Sequence, residues 1–93
     1  MNAHTLEDST LSEPEFNFIE SWNYLAEDVY ATAKSKGWYD KPNEDGTRLA
    51  LMHSELSEAL ESLRAGDPPD DKIPQFSGCE AELADVIIRI MDF

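Results

Sequence analysis

Little in this chain can cross-link, kink or span. Cys79 is the single cysteine, so no intramolecular disulfide can form, which suits a reducing compartment. Four glycines and five prolines are present. Nearly all fall at the ends of periodic segments, where they punctuate helices rather than dilute them. No apolar run approaches the roughly 20 residues that cross a bilayer. The N-terminus, MNAHTLEDSTLSEPE, has no basic stretch followed by an apolar one, so it does not read as a signal peptide. Bases are scarce as well: seven Lys and Arg against 20 Asp and Glu leave a formal net charge of -13. Direct contact with nucleic acid calls for a basic footprint and is not expected, nor is attraction to an anionic membrane surface. A cytosolic (cytoplasmic) protein is the expectation. An acidic chain can still handle a phosphate substrate when a divalent cation lies between them.

What remains is enough for one small folded domain, with 93 residues, 41% of them hydrophobic and 10% aromatic. A domain of this size buries a modest core, so association with copies of itself is expected, as a dimer or tetramer. Residues 1–11 are polar and aperiodic and read as a flexible N-terminal arm. The domain proper spans 12–93. Its first helix starts at the N-cap Ser12, with Pro14 in the first turn and Glu15 three residues after the cap, a capping box. Ile19, Trp22, Leu25, Ala26, Val29 and Ala33 follow at helical spacing, and Gly37 stops the helix. A loop through Pro42 leads to a second helix, from about Asp45 or Gly46 to about Ala65, with the apolar stripe Leu49, Met52, Leu56, Leu60 and Leu63. Gly66 closes it. The proline-rich stretch Asp67 to Gln75 is a connecting loop. Ser77 and Glu80 form a second capping box, opening a third helix with Leu83, Val86, Ile87 and Ile90. That helix runs into Phe93 in mid-pattern, so the expectation is either that a partner buries its end or, the preferred reading, that the domain is truncated at its C-terminus. With no strand signal, the fold class is all-α: an antiparallel helical bundle, completed by oligomerisation.

Two carboxylate pairs stand out. The second helix carries Glu55-Leu-Ser-Glu58 and the third Glu82-Leu-Ala-Asp85. Residues three apart share a helix face, and like charges there are mildly unfavourable unless a cation or solvent relieves them. Glu55 and Glu58 lie about 100° and about 160° from the centre of their apolar stripe, and Glu82 and Asp85 repeat those offsets with the same sign. If the two helices pack antiparallel through their apolar stripes, all four acids fall on one side. Such a patch is a hard-oxygen site suited to Mg²⁺, with Mn²⁺ as a substitute. A di-iron bundle would need Glu-x-x-His, which is missing.

The stretch HSELSEALESLR, followed by a proline-rich loop and EAELADVIIRI, resembles the MazG-like all-α nucleoside triphosphate pyrophosphohydrolases, whose mark is Glu-x-x-Glu, a spacer and Glu-x-x-Asp on two helices. The likeness covers about residues 46–92. It implies an oligomeric all-α bundle, Mg²⁺ held by Glu55, Glu58, Glu82 and Asp85, and cleavage of an NTP or dNTP to the monophosphate and pyrophosphate. Family members continue into a further helical segment with Lys and Asn residues that contact substrate, and this sequence stops before it. A carboxylate not used fully as a ligand can orient or deprotonate the attacking water, and Glu55 and Glu58 are equal candidates.

Other residues carry a functional and a plainer reading. Lys72, in the loop between the motifs, could contact phosphate or simply be solvated. Arg48, Arg64 and Arg89 are further cations, and Arg89, on the side of Glu82 and Asp85, could pair with a carboxylate. His53 is an edge histidine or a substrate contact. Trp22, Phe18 and Trp38 could stack on a base; Trp22 sits at core spacing, and Trp38, in a loop, is the freer candidate. Glu61 and Glu80 could support the site from behind, although Glu80 already has a capping role. The competing reading of the whole chain is a non-enzymatic acidic helical module, a DNA mimic or regulator. It needs charge spread over a surface, where an enzyme needs it focused in one place.

Overall fold

The structure, a computed structural model, describes residues 10–93. It is all-helical: α1 spans Glu13–Ser35, α2 Asp45–Arg64 and α3 Gly78–Asp92. Among the described residues the one piece of β geometry is an isolated bridge between Pro69 and Ser77, and no helix is long and apolar enough to cross a membrane. The expected arm lies outside the described residues for positions 1–9. Thr10 and Leu11 form the lead into α1.

Local chemistry sets the helix ends. Ser12 caps α1 by accepting the Glu15 N–H at 3.3 Å. The Glu15 carboxylate takes the Ser12 hydroxyl proton instead of the backbone N–H of a full capping box. The box before α3 is complete, with Glu80 N–H on Ser77 Oγ at 3.1 Å and Ser77 N–H on Glu80 Oε1 at 3.0 Å. Both long helices end in the same six-residue wrap. At α1, Gly37 N–H bonds Lys34 O and Trp38 N–H bonds Ala33 O; at α2, Gly66 N–H bonds Leu63 O and Asp67 N–H bonds Ser62 O. This motif needs a left-handed residue, and Gly37 and Gly66 supply it with φ of 86° and 88°.

The chain divides into two compact units, Met1–Pro42 with Met91–Phe93, and Asn43–Ile90. In the first, Tyr30 and Tyr39 rings lie 5.0 Å apart, and the Tyr39 hydroxyl donates to Asp92 O at 3.4 Å. Phe18 and Trp22 pack with centroids 5.9 Å apart. Trp38, expected to be free in its loop, is half-buried, because the wrap after Gly37 folds it back on α1.

The second unit corrects an expectation. Where α2 and α3 approach, the buried residues are not the leucines of the two stripes. The buried positions are small, Ala59 (5% exposed), Ala81 and Gly78, joined by Val86. Gly78 lies so close to α2 that a Cβ there would collide with Ser62 Oγ. The contact residues Glu55, Ala59 and Ser62 each precede a large apolar one, Leu56, Leu60 and Leu63. On α3, Glu82, Val86 and Arg89 precede Leu83, Ile87 and Ile90 in the same way. One residue is about 100° of helix rotation, so both large stripes turn away from the contact line and stay exposed, Leu60 at 47% and Ile87 at 49%. Small residues win the contact because they let two backbones approach closely. The sequence pattern marked an apolar face but not what that face meets.

Candidate functional site

The contact line between α2 and α3 carries the acids. Glu55, Glu82 and Asp85 each place one carboxylate oxygen so that the three lie within 4.8 Å of one another. Glu58, expected as the fourth member, is exposed and outside this tight group, although it is near enough to act on both Glu55 and Glu82. Its α2 phase places it three residues, nearly a full turn, beyond Glu55 toward the solvent side.

The group is electrostatically crowded. Glu82 is pushed up to about 8 from an ordinary 4.5, first by its hydrogen bond with Glu55, then by burial and by Glu58. Glu55 is lowered, chiefly because Glu82 donates to it, with burial opposing and Arg89 assisting. The two carboxyls thus move apart, Glu82 holding its proton more firmly and Glu55 ionising more readily. Two close carboxylates cannot both ionise cheaply. Asp85 is exposed as a residue, yet partial loss of water around its carboxyl raises it, and the charge of Glu55 adds to this while Arg89 opposes it. Even so, Glu82 Oε2 is buried with no hydrogen-bond partner, and a buried acceptor without a partner is costly.

Arg89 enters the group from α3. Its Nε and Nη2 both donate to Glu55 Oε1, at 3.2 and 3.1 Å. The Glu55 side chain is 14% exposed and that of Arg89 30%. The pairing expected for Arg89 thus reaches across to Glu55 of α2, while its charge also acts on Asp85 of its own helix. Asp70, which sequence reasoning passed over, lies near enough to raise Asp85. Its Oδ2 accepts the N–H groups of Lys72 and Ile73 at 2.9 and 3.0 Å, a local turn that ties the loop down. Spacing flags Arg89, which stands four residues after Asp85 and seven after Glu82, on one face. Asp70 had no comparable signal.

The other named residues scatter. Lys72 is exposed in the loop beside Asp70, His53 is exposed on α2, and Arg48 is half-buried seven residues before Glu55. Trp38 belongs to the other unit. Glu61 is taken by Arg64 at 3.3 Å on an exposed face, and Glu80 by its cap. Cys79 N–H donates to Asp67 Oδ1 at 3.0 Å.

The donor set is all hard oxygen, without histidine or cysteine. It fits Mg²⁺ or Mn²⁺ better than zinc or copper. A cation there would also satisfy the orphaned Glu82 Oε2. Compared with family models, with curated proteins and with solved structures, the chain matches none of them. Its function is therefore inferred from the geometry of the acids and from the motif resemblance.

Proposed function

We propose that this chain is a Mg²⁺-dependent nucleoside triphosphate pyrophosphohydrolase of the MazG-like kind, with Mn²⁺ as a substitute, converting an NTP or dNTP to the monophosphate and pyrophosphate. The observation that carries this reading is the convergence of Glu55, Glu82 and Asp85 within 4.8 Å, with Glu82 Oε2 buried and without a partner. It joins two motifs 27 residues apart in the sequence, Glu55 and Glu82. Three acids gathered at one place favour an enzyme over a charge-spreading mimic, although the chain would still carry -9 without the four motif acids.

In this reading Glu55, Glu82 and Asp85 hold the cation. Glu58, exposed at the edge of the group, accepts the proton that the attacking water releases as its oxygen joins phosphorus and the pyrophosphate oxygen leaves. A bound Mg²⁺ would supply charge neutralisation on the phosphates and a lowered pKa for coordinated water. Lys72 and Arg48 are the further phosphate contacts, and His53 the base contact, that this reading offers.

The reading includes an antiparallel α2–α3 pair. Ser62 against Gly78 and Glu55 against Arg89 support it, because the contacts run in opposite directions along the two helices. In such a pair both large apolar stripes lie on one side. A second copy in the cytosol is the occupant proposed for that face. The test is hydrolysis of a panel of NTPs and dNTPs with Mg²⁺, resolving mono- and diphosphate products, for the wild type and Glu58→Gln. Monophosphate with pyrophosphate, reduced in the variant by about 10²-fold or more as for a lost general base, is the expected result. A folded wild type with neither turnover nor stabilisation by Mg²⁺ and nucleotide would favour the acidic module.

A further inference from the structure

Arg89 is a cation built into a site that reads as a cation site. Its Nε and Nη2 converge on one oxygen of Glu55, whose side chain is 14% exposed. It also acts on Asp85, four residues back on the same helix. It thus opposes the charge of two of the three converging acids. A divalent cation on Glu55 would compete with the guanidinium for the charge of one carboxylate and so weaken the two hydrogen bonds that converge on Oε1. A carboxylate that loses one cation in a half-buried place needs another.

We propose that Arg89 is an exchangeable counter-ion. It neutralises Glu55 while no divalent cation is held, yields that carboxylate when one binds, and then receives the polyphosphate of the substrate. The inference rests on the metal site argued above and adds a regulator and a phosphate contact to it. Guanidinium chemistry suits both partners, because its parallel N–H donors fit carboxylate and phosphate alike and its charge persists at every working pH. The long stem at the partly exposed edge lets the head swing without moving either helix.

The test follows the Arg89 Nε–H resonance in the wild-type chain, assigned by its loss in Arg89→Lys. Mg²⁺ is added first and then pyrophosphate with Mg²⁺, and calorimetry reads Mg²⁺ binding in parallel. Mg²⁺ should speed exchange of this proton with solvent by about tenfold, the loss of one charged hydrogen bond, and pyrophosphate should slow it again. Arg89→Met should bind Mn²⁺ about tenfold more tightly than wild type, since a competing charge is gone. Arg89→Lys, which keeps the charge without the fork, should fall between. A purely structural arginine predicts the opposite sign, weaker Mn²⁺ binding in Arg89→Met. An Nε–H signal unmoved while calorimetry records Mg²⁺ binding overturns the exchange and leaves the metal site standing. No Mg²⁺ binding by the wild type overturns both. The wild-type resonance decides the matter even if Arg89→Met fails to fold.

Discussion

Glu82 makes the stability of the metal-free protein depend on pH in an unusual direction. Its folded value near 8 stands above the ordinary 4.5, so between those limits the folded chain holds a proton that the unfolded chain has released. Folding takes up that proton, and stability therefore falls as pH rises through the window. Asp85, also raised, pulls the same way from its ordinary 3.8 upward. Glu55 is lowered and works in reverse: its contribution is present above 4.5 and is lost only as pH falls through its depressed value. In chelator, the melting temperature should fall from about pH 5 to about pH 8, and Glu82→Gln should flatten that slope. A melting temperature that rises across this range, or an equal slope in the variant, would refute the raised Glu82 carboxyl. Mg²⁺ should bind more tightly over the same window, because it must displace the proton from Glu82.

At the scale of elements, two glycines with opposite duties separate propensity from packing. Gly46 lies in the first turn of α2 with open space where a Cβ would stand, whereas Gly78 opens α3 against Ser62. Gly46→Ala should stabilise the fold by about 0.5–1 kcal/mol, the helix propensity difference. Gly78→Val should destabilise it by about 1–3 kcal/mol, as overpacking does. Urea titrations of both variants provide the check, and a stabilised Gly78→Val would mean that the α2–α3 approach is looser than described. The caps are legible in the sequence. Ser12, Ser77 with Glu80, Gly37 and Gly66 act through hydrogen bonds and φ values local to a few residues, and they occur where their spacing places them. What meets across α2 and α3 is not legible there, because Ala59, Ala81 and Gly78 carry no apolar signal as large as the leucines beside them.

At the scale of the whole molecule, the feature to explain is exposed apolar surface. Among the described residues no large side chain is fully buried, while Leu56, Leu60, Leu63, Leu83, Ile87 and Ile90 are all about half exposed. Contiguous exposed apolar patches mark interaction surfaces. If a second copy covers this one, the double variant Leu60→Lys with Ile87→Lys should sediment as a monomer with its helix content kept. Each buried side chain of this kind is worth about 1.5–3 kcal/mol, so the dissociation constant should weaken by about 100-fold or more. A wild type that is monomeric at all concentrations would remove the second copy from the account.

The sequence by itself determined the helices, their ends and the two acid pairs, since each depends on periodicities and caps that act over a few residues. It also marked the leucine stripes as apolar faces. Only the tertiary structure decided which stripe faces which. It placed the acids and small residues on the α2–α3 line, turned the leucines outward by about one residue's rotation, left Glu58 at the edge and brought Arg89 onto Glu55. Those outcomes depend on how closely two backbones approach, which is set at Gly78 and Ser62 and by the sum of contacts across the pair. No short-range pattern encodes that sum.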